Sequence, residues 1–506
     1  MVNKIKKVFN NLITPGGTLS QKAIKGGFWV FFLRITNRGF SLIRLIILAR
    51  ILAPSDFGLM GIALLTMSTL ETFSQTGFQQ ALIQKKEDIE SYLNSAWTVL
   101  ILRGFILFII LYFIAPYAAI FFNSPEAKPI IRVIGFSILF QAFTNIGIIY
   151  FKKELEFNKE FIYQFSGTLA DIVVAVSAVL ILRNVWAIVF GLLAGNMIRC
   201  FVSYFIHPYR PHFSKDLGMA KKLFGFGKWI MGSSILIFLT TQGDDIFVGK
   251  FLGATALGFY QLAYRISNMP ATEITHVISQ VTFPAYSKLQ DDIPKLREAY
   301  LKVLQLTAFL SFPIAGLIFI LAPDFTRIFL GEKWMSMVPA MQVLTVYGML
   351  RSIGATNGPV FQAIGRPDIS TKLQFLNVLM LAIFIYPLTM EWDILGTSIA
   401  VSLCSVLKAP ISFYIATKVV RCSFREFLKK IWIPFLNISM TIGCIYFVQL
   451  TFPEQSGIPW FSLLCVIGII LYIGFSLIAD KYFGCDLVRQ TVAFLHPRIH
   501  PGETRA

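Results

Sequence analysis

Residues 93–122 read LNSAWTVLILRGFILFIILYFIAPYAAIFF, with Arg103 as the one charge in the run. A helix needs roughly 20 apolar residues to cross the hydrocarbon core of a bilayer, and this stretch exceeds that without a polar face. Working outward, comparable runs lie at 28–50, 57–81, 130–151, 161–182 and 186–206, making six spans. Beyond the polar stretch HPYRPHFSKDLGMAKKLFGFGK at 207–228, further runs lie at 229–249, 257–283, 301–322, 338–363, 372–389, 394–416, 431–451 and 459–478. The expected fold class is an all-α integral membrane protein of about fourteen transmembrane helices. They form two pseudo-symmetric six-helix lobes around a central cavity, plus two C-terminal helices.

That reading divides the chain into a cytoplasmic N-terminal segment (1–22), an N-lobe (23–206), a cytoplasmic linker (207–228) and a C-lobe (229–416). A cytoplasmic loop (417–430), spans thirteen and fourteen (431–478) and a cytoplasmic tail (479–506) complete it. Composition agrees: 56% of residues are hydrophobic and 14% charged, with a mean hydropathy of +0.67, against about 25% charged in soluble domains. The net charge of +18 does not indicate nucleic acid, because the basic residues follow the loops. With the N-terminus inside, 29 of the 45 Lys and Arg fall on the cytoplasmic side and six on the other. This positive-inside bias places both termini of the multi-pass chain in the cytoplasm. Outer connections as short as Arg183-Asn184 and Glu391 to Asp393 leave no room for a periplasmic domain. Six cysteines and five histidines are scattered without paired spacing, so no disulfide framework, metal site or cofactor is expected.

A shift of 200 residues aligns LARILAPSDFGLMGIA at 48–63 with VGKFLGATALGFYQLA at 248–263. Leu52 matches Leu252, Gly58 matches Gly258 and Ala63 matches Ala263, while upstream Lys22, Gly27 and Trp29 match Lys222, Gly227 and Trp229. Copies separated by an even number of spans are parallel repeats, related by an axis along the membrane normal.

Ten basic residues remain inside candidate spans: Arg34, Arg38, Arg44, Arg103, Arg132, Arg199, Arg265, Lys302, Arg351 and Lys408. A cation at the bilayer centre costs about 2.5–3.5 kcal/mol on insertion scales, so these side chains must face water or partners. On the first span, Arg34, Asn37, Arg38, Ser41 and Arg44 fall within an arc of about 120°, the wall of an aqueous cationic cavity. Arg132, Lys302 and Arg199 lie near span ends, where snorkelling to the headgroups suffices. The expected substrate-binding set is therefore Arg34, Asn37, Arg38, Arg44, Arg103, Arg265, Arg351 and Lys408, directed at a phosphorylated anion that accepts guanidinium hydrogen bonds. A cationic drug would be repelled. Five acids accompany them, Glu71, Asp171, Asp244, Asp245 and Glu273, as ion-coupling or gate groups or as structural ion-pair partners. The repeat offset sets Arg44 opposite Asp244, as a pair closing the outer mouth.

LARILAPSDFG at 48–58, GDDIFVGKFLGATALGFYQLAYR at 243–265 and FPAYSKLQDD at 283–292 resemble segments of the polysaccharide transporter family. These are the Wzx-like flippases of the multidrug/oligosaccharidyl-lipid/polysaccharide superfamily, and the closest flavour is the colanic acid and teichuronic acid exporter group. The resemblance covers roughly residues 20 to 430, with Asp244 as the matching family position. It implies alternating access that moves an undecaprenyl-pyrophosphate-linked oligosaccharide repeat unit between leaflets. The implied partners are the lipid-linked oligosaccharide, the bilayer, a polysaccharide polymerase and chain-length proteins. Rival readings are a lipid II flippase, a cation-coupled drug exporter of the same superfamily, or a membrane-embedded polysaccharide polymerase or glycosyltransferase. The enzyme reading lacks residues: the longest outer stretch, APDFTRIFLGEKWMSMVP, offers Asp324 and Glu332 without a catalytic constellation.

Overall fold

The computed structural model describes residues 19–78, 82, 89–154, 156–214 and 218–483, leaving aside the side chains of 19–28, 30, 31, 35, 218–233 and 273–281. The first helices are α1 (Leu19–Ile51), α2 (Pro54–Phe73), α3 (Glu90–Phe121), α4 (Ala127–Phe143), the short α5 (Ile149–Lys153), α6 (Phe157–Leu182) and α7 (Trp186–Ile206). They are followed by α8 (Gly218–Phe251), α9 (Gly253–Ser267), α10 (Met269–Lys288), α11 (Ile293–Phe325), α12 (Val338–Gly354) and α13 (Asn357–Ala363). The last are α14 (Pro367–Val419), α15 (Phe424–Thr451) and α16 (Ile458–Phe483). Each expected span contains helix, and the departures fall at polar interruptions. By length and composition, seven described helices can cross a membrane, or eight if the bent pair formed by α4 and residues 146–153 is one span.

α3 shows that lipid is the solvent. Its outward stripe is apolar, with Phe113, Tyr117 and Ile120 exposed by 66%, 71% and 72%, while its buried side carries Ser95, Ala96, Gly104, Ala115 and Ala119. A soluble helix has the opposite polarity. In hydrocarbon, helices gain by close packing of small residues, and Gly104 meets Ala142 so closely that an added methyl would overlap it.

Three spans differ from the sequence expectation. α2 stops at Phe73, short of residue 81, because Ser74 turns its hydroxyl onto the Leu70 carbonyl at 2.6 Å and caps the helix. The span at 130–151 is bent by 70° between α4 and residues 146–153. Asn145 holds this bend. Its N–H donates to Ser203 Oγ (2.9 Å), its Oδ1 accepts from Gly147 N (2.9 Å) and its Nδ2 donates to the Tyr209 carbonyl (2.7 Å). The span at 257–283 breaks at Asn268, ahead of Pro270, whose ring cannot continue a helix from the preceding turn. α14 contains a turn where the sequence places one: Trp392 and Asp393 leave helical geometry, and Gly396 lies against the Leu388 carbonyl.

The chain divides into two compact units, Met1–Gly258 and Phe259–Ala506. In the first, α6 packs on α7 and α1, α3 on α4, and α8 on α2 and α3. Asp56 fixes the start of α2 by accepting from Ala53 N (2.9 Å), and its other oxygen accepts from Val185 N (3.0 Å). The turns related by the 200-residue offset meet here reciprocally: a Cβ on Gly58 would overlap the Ala254 carbonyl, and one on Gly258 would overlap the Pro54 carbonyl. In the second unit α11 is central, packing on α10, α12, α15 and α16. Leu321, Ile445 and Leu464 join α11 to the last two helices, and Gln449 donates to Asp324 at 2.8 Å.

Candidate functional site

α1 lies along α6 through ring contacts of Trp29 and Phe32 with Phe161 and of Phe40 with Phe165. This register brings Arg44 level with Asp171, and the two form an ion pair at 3.0 Å. The expected pairing of Arg44 with Asp244 gives way to this pair on α6. An offset between repeats relates equivalent positions but does not say which helix lies beside which. Asp171 fits a notch in α7, where Gly191 and Gly195 leave room for its side chain. Arg34, Asn37 and Arg38 are half-buried on α1, and Asn37 Oδ1 makes no hydrogen bond among the described residues.

Arg103 caps α2. Its Nε donates to the Ser74 carbonyl (2.8 Å), and its Nη2 donates to the Glu71 carbonyl (3.0 Å) and to Ser74 Oγ (2.9 Å). A guanidinium suits this place, because the last carbonyls of a helix lack intrahelical donors and carry partial negative charge. The Glu71 carboxylate and Arg103 both line a cavity of about 330 Å³ bounded by α2, α3, α4 and the Asn145 bend. Gln75, Thr76, Gln141 and Thr144 add polar groups, while Leu82, Leu100, Ile138 and Ile149 supply apolar wall. Sequence reading missed Gln75, Thr76 and Gln141, although amides and hydroxyls within or beside apolar runs were a visible signal.

Below the bend, residues 207–214 form a strap across the first unit. Tyr209 donates its hydroxyl to Asn94 Oδ1 (2.8 Å), His212 N donates to the same oxygen (3.0 Å), and Ser214 N donates to Thr98 Oγ1 (2.9 Å). His207 stacks on Tyr150 at 5.5 Å and accepts at Nδ1 from Tyr209 N (3.1 Å). Burial, and next the charge of Lys159, push its imidazole below the ordinary histidine value.

In the second unit, Arg351 Nη1 donates to Asn268 Oδ1 (3.3 Å) and Tyr264 Oη (3.4 Å) at the break between α9 and α10. Its guanidinium lies 6.0 Å from the Tyr347 ring, and the Tyr264 and Tyr347 hydroxyls are 3.3 Å apart. Half-buried Lys408 on α14 has no ion pair among the described residues.

The remaining candidates are dispersed. Asp244 is buried and Asp245 half-buried on α8, Arg265 is exposed on α9, and the side chain of Glu273 lies outside the described residues. Lys302 is exposed and paired with Glu298, one turn before it on α11, at 2.6 Å. Arg132 covers the Tyr112 ring at 4.2 Å, and Arg199 packs over Gly167 between α6 and α7.

The family model described as "Polysaccharide biosynthesis protein" matches residues 47–339. The lipopolysaccharide biosynthesis protein WzxC of Escherichia coli (strain K12) is 27% identical over 445 residues, covering 86% of this chain and 90% of that protein. The teichuronic acid biosynthesis protein TuaB of Bacillus subtilis (strain 168) is 29% identical over 375 residues, covering 73% and 77%. Among solved structures, lipid II flippase MurJ in an inward closed conformation superposes with a TM-score of 0.71 at 17% identity, over 90% of this chain and 99% of that one. At that identity the likeness concerns the fold alone. With more than half its length matched, the chain belongs to this polysaccharide biosynthesis family, as a Wzx-like membrane transporter of the multidrug/oligosaccharidyl-lipid/polysaccharide superfamily.

Proposed function

We propose that the chain is a flippase that carries an undecaprenyl-pyrophosphate-linked oligosaccharide repeat unit from the cytoplasmic to the outer leaflet of the bacterial inner membrane, for surface polysaccharide synthesis. It does so by alternating access through a cationic cavity, with fourteen crossings and both termini in the cytoplasm. The roles of WzxC in lipopolysaccharide biosynthesis and of TuaB in teichuronic acid biosynthesis support this choice of cargo. Within the chain, the observation that carries it is the set of half-buried cations on apolar helices, Arg34, Arg38, Arg351 and Lys408. Cations at membrane depth are costly, and a diphosphate that accepts hydrogen bonds from them offsets that cost. The basic face of α1, with Arg34, Asn37 and Arg38, supplies the corresponding charge in the first unit.

A polysaccharide polymerase and chain-length proteins would take the cargo onward in the outer leaflet. Asp171, Asp244, Asp245 and Glu273 are the groups through which an ion gradient would drive the cycle. Leaflet translocation of a polyprenyl-pyrophosphate-linked oligosaccharide in reconstituted vesicles tests the proposal. Arg351→Ala and Lys408→Ala should each slow transport at least tenfold, as should Arg34→Ala with Arg38→Ala. Wild-type rates in these variants, or no transport by the wild-type protein, would refute it.

A further inference from the structure

The cavity bounded by α2, α3 and α4 carries a combination of groups that a phosphate does not satisfy. We propose that it binds a sugar ring of the cargo's glycan, a subsite distinct in chemistry from the basic residues that hold the diphosphate; this rests on the flippase reading above. Its volume of about 330 Å³ lies at the lower end for small-ligand sites. One face is apolar, from Leu82, Leu100 and Ile138, and suits the C–H side of a pyranose.

The polar face is defined by what its groups leave unused. Arg103 commits Nε and Nη2 to the end of α2, and its Nη1 makes no hydrogen bond among the described residues. The Glu71 carboxylate and the side chains of Gln75, Thr76 and Gln141 make none either among those residues. The set contains an acceptor without donors, a donor without acceptors, two amides and a hydroxyl that do both.

An anion such as pyrophosphate only accepts, so it would satisfy Arg103 and repel Glu71. A simple cation would do the reverse. Neighbouring hydroxyls on a sugar ring donate to the carboxylate and accept from the guanidinium at once, while the amides take either role. The formal charges of Glu71 and Arg103 cancel, which removes the pull on the diphosphate and leaves a neutral polyol as the ligand class.

The test uses the full chain in reconstituted vesicles with a polyprenyl-pyrophosphate-linked oligosaccharide as cargo and inorganic pyrophosphate as competitor. Gln75→Ala and Gln141→Ala should each raise the half-saturating cargo concentration about five- to tenfold, the loss of one or two hydrogen bonds. The inhibition constant of pyrophosphate should stay at its wild-type value in both. Arg351→Ala, which removes a contact to the diphosphate itself, should weaken pyrophosphate inhibition along with cargo binding. Gln141 is exposed, so its truncation leaves the core intact, and an unchanged pyrophosphate response verifies the fold of each variant. Unchanged half-saturation in both glutamine variants overturns the subsite while leaving the flippase reading in place. An equal shift in cargo and pyrophosphate responses does the same. A wild-type protein that moves no cargo overturns the flippase reading, and the subsite with it.

Discussion

Arg103 holds the carbonyl end of α2 in the same position from which it faces a cavity, so its removal has two separable effects. Arg103→Ala leaves the Glu71 and Ser74 carbonyls without their donor and should destabilise the protein by about 2–3 kcal/mol, read as a lowered midpoint of thermal unfolding in detergent. Arg103→Lys keeps the charge but not the fork, and should recover under half of that loss. His207 gives a second prediction at this scale. Its neutral form accepts from Tyr209 N, and burial first, then the charges of Lys159 and Arg210, oppose its protonation against the weaker pull of Glu156. A histidine with a depressed value in the fold contributes stability above its unfolded pKa, and that contribution is lost as pH falls. Amide exchange of residues 207–214, corrected for intrinsic rates, should therefore quicken between pH 7 and pH 5. His207→Asn, whose Oδ1 takes the place of Nδ1 as the acceptor from Tyr209 N, should flatten that response. The basic arc on α1 was legible from 100° steps alone, because sequence fixes angular position on a helix. The partner of Arg44 was not, because Asp171 lies on another helix and only packing brings it near.

Among the elements, apolar length located the spans and polar interruptions shaped them. Windowed hydropathy carries α2 onward to residue 81, since Gln75, Thr76 and Gly77 are too few to break an average. The helix nonetheless ends at Ser74, where a hydroxyl and a guanidinium take over its last carbonyls. The bend at Asn145 was hidden for a related reason: one amide in an apolar run reads as a tolerated defect. In the fold this residue makes three hydrogen bonds joining α4, α7 and the strap. Of these, the two from its side chain are lost in Asn145→Ala, which leaves the Tyr209 carbonyl and Gly147 N–H without that partner. A loss of about 2–3 kcal/mol is expected, with protease cleavage at 207–214 appearing before global unfolding. Asn145→Asp keeps the acceptor for Gly147 but sets a second carboxylate oxygen against the Tyr209 carbonyl in a buried place, and should cost at least as much.

At the scale of the whole molecule, the family and the membrane class rest on order and spacing along most of the chain. The basic balance of the candidate site rests on a handful of residues. The proposed sign of the cargo rests on composition, because insertion costs make cations within spans rare. It could not name the cavity beside α2, whose lining comes from helices joined only through the fold. The weak internal duplication has its strongest support in Gly58 and Gly258, each seated on the carbonyl four residues before the other. Gly58→Ala or Gly258→Ala should destabilise the protein by about 1–3 kcal/mol through overpacking, measured by thermal unfolding in detergent.

Because both glycines press on one crossing, a single sideways step of the backbones would relieve both overlaps. The two alanines together should then cost less than twice one alanine, a departure from additivity that a double-mutant cycle reads directly. Such a pair behaves as one locus under mutation: once either copy has given way, the other is freed to follow.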